Sequence, residues 1–314
     1  MSRKFAVLDL GTNTFHLLLA TRNDNGSWKP LLRRRKTVKL GQGGIHLGYI
    51  APQPFERGVK AILEFADSIR EHGIQEVYAF ATSAIRSSGN GSDFVKRVRQ
   101  ESGIVIQVIS GASEAQLIRD GVMQNLPVLD ERVLIMDIGG GSTEFIIADK
   151  RRTYWKMSFD IGASRLLEIF SPDDPIRAAQ VKQLEKYLLK EIAPLTAALR
   201  DYPVTLLVGA SGSSESYARM IGYHLHGKDP LRGKAHYTFD LQAYRTLHNA
   251  LLASTRQQRL AMKGLVRMRV DMIVLASITT QLVVKQYKFK RMMLSTYALK
   301  EGAAYRIAKG LPLP

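Results

Sequence analysis

Val7-Leu8-Asp9-Leu10-Gly11-Thr12-Asn13-Thr14-Phe15-His16-Leu17-Leu18-Leu19-Ala20 lies without a gap over Ile135-Met136-Asp137-Ile138-Gly139-Gly140-Gly141-Ser142-Thr143-Glu144-Phe145-Ile146-Ile147-Ala148. Asp9 falls on Asp137, Gly11 on Gly139 and Ala20 on Ala148, a constant offset of 128 residues (137 − 9). Each stretch reads as a buried strand ending in Asp, a turn of Gly and small hydroxyl or amide residues, and a second strand. A repeat at the head of each half of the chain points to a duplicated domain.

The turns have a chemical use. Glycine lets backbone N–H groups approach an anion closely, and Thr12, Asn13, Thr14, Ser142 and Thr143 add side-chain donors, so each hairpin can wrap a phosphate. Asp-x-Gly hairpins are also ordinary turns. Two related copies imply paired domains with a phosphate-binding cleft between them. An Asp beside a phosphate repels it unless a cation intervenes, and Mg2+ fits because it keeps much of its water shell and binds through one or two carboxylates plus substrate phosphates.

Working outward, the first half reads as strands to Leu40, a helix from about Phe55 to His72, strand Glu76 to Ala81, a helix, strand Val105 to Ile109 and a helix from Glu114. The second half echoes it with Thr153 to Phe159, a long helix opened by Asp174-Pro175, strand Val204 to Val208, further helices and a last strand at Met292 to Leu294. Strands alternating with helices place the chain in the α/β class, with one mixed five-stranded sheet per half. The expected domains are 1–126 and 127–314, with a seam near Asn125 to Glu131 and the last helix packing back on the first domain.

Composition narrows the chemistry. The 314 residues contain no cysteine, which excludes disulfides, thiolate nucleophiles and Cys-ligated zinc. The N-terminus carries Asp9 too early for a signal peptide, and the apolar run Met272 to Val284 is short of a membrane span. A cytoplasmic protein is expected. The net charge of +17 attracts polyanions, although many basic proteins simply carry a solvated positive surface. Between Arg256 and Arg291 there are nine Lys or Arg and one acid, Asp271.

With both hairpins go Ala81-Thr82-Ser83-Ala84-Ile85-Arg86, Ile109-Ser110-Gly111-Ala112-Ser113-Glu114-Ala115, Gly162-Ala163-Ser164-Arg165-Leu166 and Gly209-Ala210-Ser211-Gly212-Ser213. On these residues the chain resembles the exopolyphosphatase / guanosine pentaphosphate phosphohydrolase (Ppx/GppA) family, in its short two-domain form. The resemblance implies a duplicated actin-like, ribonuclease H-like (ASKHA) fold and Mg2+-dependent removal of terminal phosphate from inorganic polyphosphate. The alternative substrate is guanosine pentaphosphate, cleaved to the tetraphosphate. It also implies that Glu114 is the catalytic carboxylate, that Asp9, Asp137 and Glu144 surround the metal and phosphate, and that Arg86 steadies the substrate. His16 and Lys300 stand where many members carry arginine.

The expected phosphate-binding set is Asp9, Gly11, Thr12, Asn13, Thr14, Arg86, Gly139, Gly140, Gly141, Ser142 and Thr143. The catalytic set is Glu114, Asp137 and Glu144. Glu114, near the start of a helix, can take a proton from water, and a glutamate there also complements the helix dipole whatever its function. Expected partners are polyphosphate or the guanosine phosphates and a second copy of the chain, with no DNA and no membrane. The turn at Gly209 to Ser213 opens a helix and can receive a phosphate or a nucleotide sugar. A kinase of the same superfold and a non-catalytic polyphosphate or alarmone binder are the rival classes.

Overall fold

The run Phe5–Leu8 of β1 (Arg3–Leu10) is buried without a break, because helices cover both faces of the sheet it centres. The structure, a computed structural model, describes residues 3–127 and 131–314. Residues 128–130, within the expected seam, lie outside that description. The chain forms two compact units, Met1–Gly121 with Ala298–Pro314, and Val122–Tyr297.

In unit 1, β1, β2 (Thr14–Arg22) and β3 (Trp28–Thr37) form an antiparallel meander. After α1 (Pro52–Glu71) come β4 (Glu76–Ala81), α2 (Ser83–Arg86), α3 (Gly91–Ser102), β5 (Ile106–Val108) and α4 (Gly111–Val122). The sheet order is β3-β2-β1-β4-β5, with β4 and β5 parallel to β1's side of the meander. Leu8, Leu10, Phe15 and Leu17 meet Ile62, Phe65 and Phe94 of α1 and α3 in one core. Phe94 packs edge-on against Phe15 and Phe55.

Unit 2 runs β6 (Val133–Ile138), β7 (Thr143–Ala148), β8 (Thr153–Phe159), α5 (Ala163–Phe170), α6 (Ala178–Glu191), α7 (Ala193–Asp201), β9 (Leu206–Ala210) and α8 (Ser211–His226). It continues with β10 (His236–Phe239), α9 (Leu241–Ala253), α10 (Arg256–Ala261), α11 (Ile273–Gln286) and β11 (Arg291–Ser295). Its order, β10-β11-β9-β6-β7-β8, contains β8-β7-β6-β9-β11, the same arrangement as unit 1. The final helix α12 (Leu299–Lys309) belongs to unit 1, where Glu301 meets Arg33 of β3 at 3.9 Å.

Two expectations need correction. The second sheet has six strands and not five, because β10 adds antiparallel to β11. Four residues give too short an alternation to read, and the strand is recognisable only by its pairing and by the Tyr237–Phe239 ring contact at 5.0 Å. The helix expected at Asp174-Pro175 starts at Ala178. Asp174 instead accepts from the Arg256 backbone N–H and from Arg259 at 2.8 Å, and the Arg pair holds its carboxyl below the ordinary range despite partial burial. No helix among the described residues is long and apolar enough to cross a membrane; the Met272–Val284 run forms α11, buried in the unit 2 core.

Candidate active site

The duplicated hairpins carry the same register. Asp9 lies opposite His16 and Asp137 opposite Glu144, each pair adjoining the turn. Gly11 N–H donates to Thr14 O at 3.2 Å, and Gly139 N–H to Ser142 O at 3.0 Å, so the two turns close alike. In unit 1 the carbonyl of Asn13 accepts from Val38 and Lys39, and that of Thr12 from Gly41, which pins the turn to the chain leaving β3.

In unit 2 the start of α5 does the pinning. Ala163 N–H donates to Gly139 O, Ser164 and Arg165 N–H to Gly140 O, and Gly162 N–H to Gly141 O. Arg165 Nε adds a bond to Gly141 O at 2.9 Å. A Cβ on Gly162 would sit 2.4 Å from the Gly140 carbonyl carbon, so only glycine permits this approach. With these carbonyls engaged, the N–H groups of Gly140 and Gly141 donate to no backbone carbonyl among the described residues. Successive uncommitted N–H groups on a tight turn form an anion-binding concavity.

Asp137 and Glu144 are 8% and 2% exposed and sit directly across a strand pair from each other. Like charges in that relation repel, more so away from water. Ser142 Oγ and Ser158 Oγ both donate to Glu144 Oε1 at 2.7 Å, which fixes the direction of that carboxylate. Ser158 lies opposite Glu144 on β8. A pair of buried carboxylates, one fixed by hydroxyl donors, is the oxygen donor set that suits a hard divalent cation completed by water and phosphate. Within each unit, no group of three His, Cys, Asp or Glu among the described residues forms a closed metal cage.

Thr143 is fully buried and donates its hydroxyl to Ile161 O at 3.1 Å, which commits its side chain to the segment that leads into α5. Thr12 is buried as well, while Gly11, Asn13 and Thr14 are half-buried beside the first turn.

In unit 1, Glu114 sits in the first turn of α4 and is 7% exposed. Ser110 caps that turn, its Oγ accepting the Ser113 N–H at 3.0 Å. Arg86, from the last turn of α2, donates through Nη1 to Glu114 Oε2 at 2.9 Å and to Ile109 O at 3.0 Å. Arg86 therefore anchors the carboxylate to the end of β5, and the carboxylate has a fixed direction.

The family model for "Ppx/GppA phosphatase family" matches residues 19–310. The chain belongs to this family. Among solved Ppx/GppA relatives, an exopolyphosphatase from Cytophaga hutchinsonii is 37% identical over 99% of both chains, with a TM-score of 0.95. Exopolyphosphatase 1 of Mycobacterium leprae is 28% identical over 96% of this chain and 89% of its own. A Ppx/GppA family member from Aquifex aeolicus, 23% identical, shares the fold across 99% of each chain with a TM-score of 0.81. The duplicated sheet plan expected from the hairpins is thus that of the Ppx/GppA phosphatases.

Sequence reasoning missed Ser158, whose only signal is its cross-strand place, and gave Arg165 and Gly162 no role of their own. Two other places singled out in the sequence carry partners of their own. The turn at Gly209 to Ser213 is covered: the Arg269 guanidinium lies against Gly212, and its Nη1 donates to Ser216 Oγ at 3.1 Å. The basic run Arg256 to Arg291 is partly neutralised, with Arg256 on Asp271, Arg259 on Asp174 and Arg291 on Glu131.

Proposed function

We propose that this Ppx/GppA phosphatase is an exopolyphosphatase that releases orthophosphate from the end of inorganic polyphosphate. The observation that carries the reading is the buried, register-opposed pair Asp137 and Glu144 beside the Gly140-Gly141 turn. Two negative groups and an anion-binding concavity are stable together when a divalent cation joins them to a phosphate. Asp137 and Glu144 are the residues that would hold Mg2+, and Asp9 has the equivalent place in unit 1. When bound, the ion neutralises phosphate charge and so lowers the cost of charge build-up on the transferred group.

Glu114 receives the proton of the attacking water, for which it needs to be ionised and aimed. Arg86 provides both conditions, a neighbouring positive charge and a fixed direction. Gly11, Asn13 and Thr14 in one unit and Gly139, Gly140, Gly141 and Ser142 in the other hold phosphate groups by N–H and hydroxyl donors. Phosphoryl transfer asks for little beyond this alignment and charge stabilisation. Thr12 and Thr143 support the turns. The names of the relatives and the charge of +17 favour the polymer over a guanosine phosphate.

The test is orthophosphate release from polyphosphate, and separately from guanosine pentaphosphate, with Mg2+ present or chelated. Polyphosphate with Mg2+ is expected to give the larger kcat/KM. Glu114→Gln is expected to lower turnover by about 10²–10⁴-fold while polyphosphate still binds. Retained turnover in Glu114→Gln, or release insensitive to chelation, would remove these assignments.

A further inference from the structure

The two hairpins share a register but have diverged in charge. In unit 2 the row across β6, β7 and β8 is Asp137, Glu144 and Ser158. In unit 1 the matching row across β1, β2 and β3 is Asp9, His16 and Arg35. Directly paired residues on adjacent strands project from one face of the sheet. Where the second copy offers a carboxylate and a hydroxyl, the first offers an imidazole and a guanidinium.

Arg35 is exposed on the edge strand of the unit 1 sheet, and among the described residues it pairs with no carboxylate. Its same-face neighbour two residues back, Arg33, is engaged by Glu301 at 3.9 Å, and Lys300 meets the same carboxylate at 3.3 Å. Lys36, on the opposite face, is held by Glu64. At the turn end of this face, among the described residues, Arg35 therefore stays available to an anion from solution. Adjacent strands are spaced by about 4.8 Å, which sets Arg35 roughly 10 Å from Asp9 along the row, with half-buried His16 between them. Thr14, in the phosphate-gripping turn, pairs with Thr37, so the turn and Arg35 are joined by two successive same-face rows.

We infer that Arg35, in line with Asp9 and His16, anchors a distal anion subsite that receives phosphate groups further along the chain than the one gripped at Gly11 to Thr14. This rests on the exopolyphosphatase reading and deepens it. The ligand class is a linear polyphosphate long enough to cross two strands; a short phosphoanhydride ends before it reaches Arg35. Arg35 presents its guanidinium to phosphate oxygens, a fit that lysine only partly reproduces.

The test compares long-chain polyphosphate with tripolyphosphate on wild type, Arg35→Ala, Arg35→Lys and, as the opposite-face control, Arg34→Ala. Arg35→Ala is expected to raise KM for the long chain about threefold to tenfold more than KM for tripolyphosphate. It should also lower the slope of log KM against log salt by about one. Arg35→Lys should recover part of the loss, and Arg34→Ala should follow wild type. Equal effects on both substrates, or an Arg34→Ala defect as large as that of Arg35→Ala, overturns the subsite. Equilibrium binding of the same two polyphosphates is measured alongside. Long-chain binding weakened by Arg35→Ala in a protein that releases no orthophosphate would retain the subsite and sink the exopolyphosphatase reading. Unweakened binding sinks the subsite whatever the turnover.

Discussion

Ser158 shows how much of the site depends on a single hydroxyl. It donates to the same Glu144 oxygen as Ser142, so its removal takes a hydroxyl donor from that carboxylate beside Asp137. Groups that orient a metal-binding carboxylate typically change metal affinity 10- to 100-fold when removed. Ser158→Ala is expected to raise the Mg2+ concentration for half-maximal activity by roughly that factor, and Ser158→Thr, which keeps the hydroxyl, to rise less. An unchanged Mg2+ titration in Ser158→Ala would remove Ser158 from the support of the ion. A second residue-scale effect lies far from the chemistry, at His248 in α9. Burial lowers its pKa to about 4, and its Nδ1 is 2.8 Å from Ser277 Oγ. The folded protein keeps this ring neutral while the unfolded chain protonates it near pH 6.5, so its stability contribution is full above about 6.5 and is lost as pH falls toward 4. The loss reaches at most about 3 kcal/mol. Urea midpoints measured from pH 7 to pH 4 should fall less steeply in His248→Gln than in wild type.

At the scale of elements, the helix that carries Glu114 is held by a backbone-to-backbone crossing. A Cβ on Gly302 of α12 would stand 1.8 Å from Leu117 O of α4, and one on Gly121 would stand 2.0 Å from Ala298 O. These contacts leave no room for a methyl group, and Leu117 is one turn beyond Glu114. Asp120 reinforces the crossing, receiving Arg306 of α12 at 2.7 Å while buried to 4% exposure. Gly302→Ala forces the helices apart and should destabilise the protein by about 1–3 kcal/mol, as overpacking does. Calorimetry should show a melting temperature lowered by several degrees, with turnover reduced even where the protein remains folded. Wild-type melting in Gly302→Ala would mean that the crossing can open at little cost. Element boundaries show the limits of local reading. β4 and β8 run over the residues that the alternation predicts, whereas α6 starts three residues after Pro175, where the Arg177 N–H is capped by Gln180 Oε1 at 3.1 Å.

For the molecule as a whole, the charge of +17 has a kinetic reading and not a structural one. Several cations of the Arg256 to Arg291 run are tied to Asp271, Asp174 and Glu131. What remains is a diffuse positive field that speeds the arrival of a polyanion and is screened over about 10 Å at 0.1 M salt. kcat/KM for long-chain polyphosphate should therefore decline steadily across a potassium chloride series, with kcat changing less. A flat profile would mean that the surplus charge plays no part in capture. The duplication is the other property of the whole chain. One sheet plan, used twice, carries an acidic row in unit 2 and a cationic row in unit 1.

The sequence by itself determined the repeat, the α/β class and the two glycine turns, each with its Asp. These are local properties, written in apolar periodicity and in residues that only a turn or a charged site tolerates. Tertiary structure decided which side chains meet: Ser158 with Glu144, Arg86 with Glu114, Arg35 in line with His16, and Arg269 over Gly212. It also decided the sixth strand. Such pairings depend on strand register and helix approach across tens to hundreds of residues, and they are fixed by the packing of the core and not by the preferences of neighbouring residues.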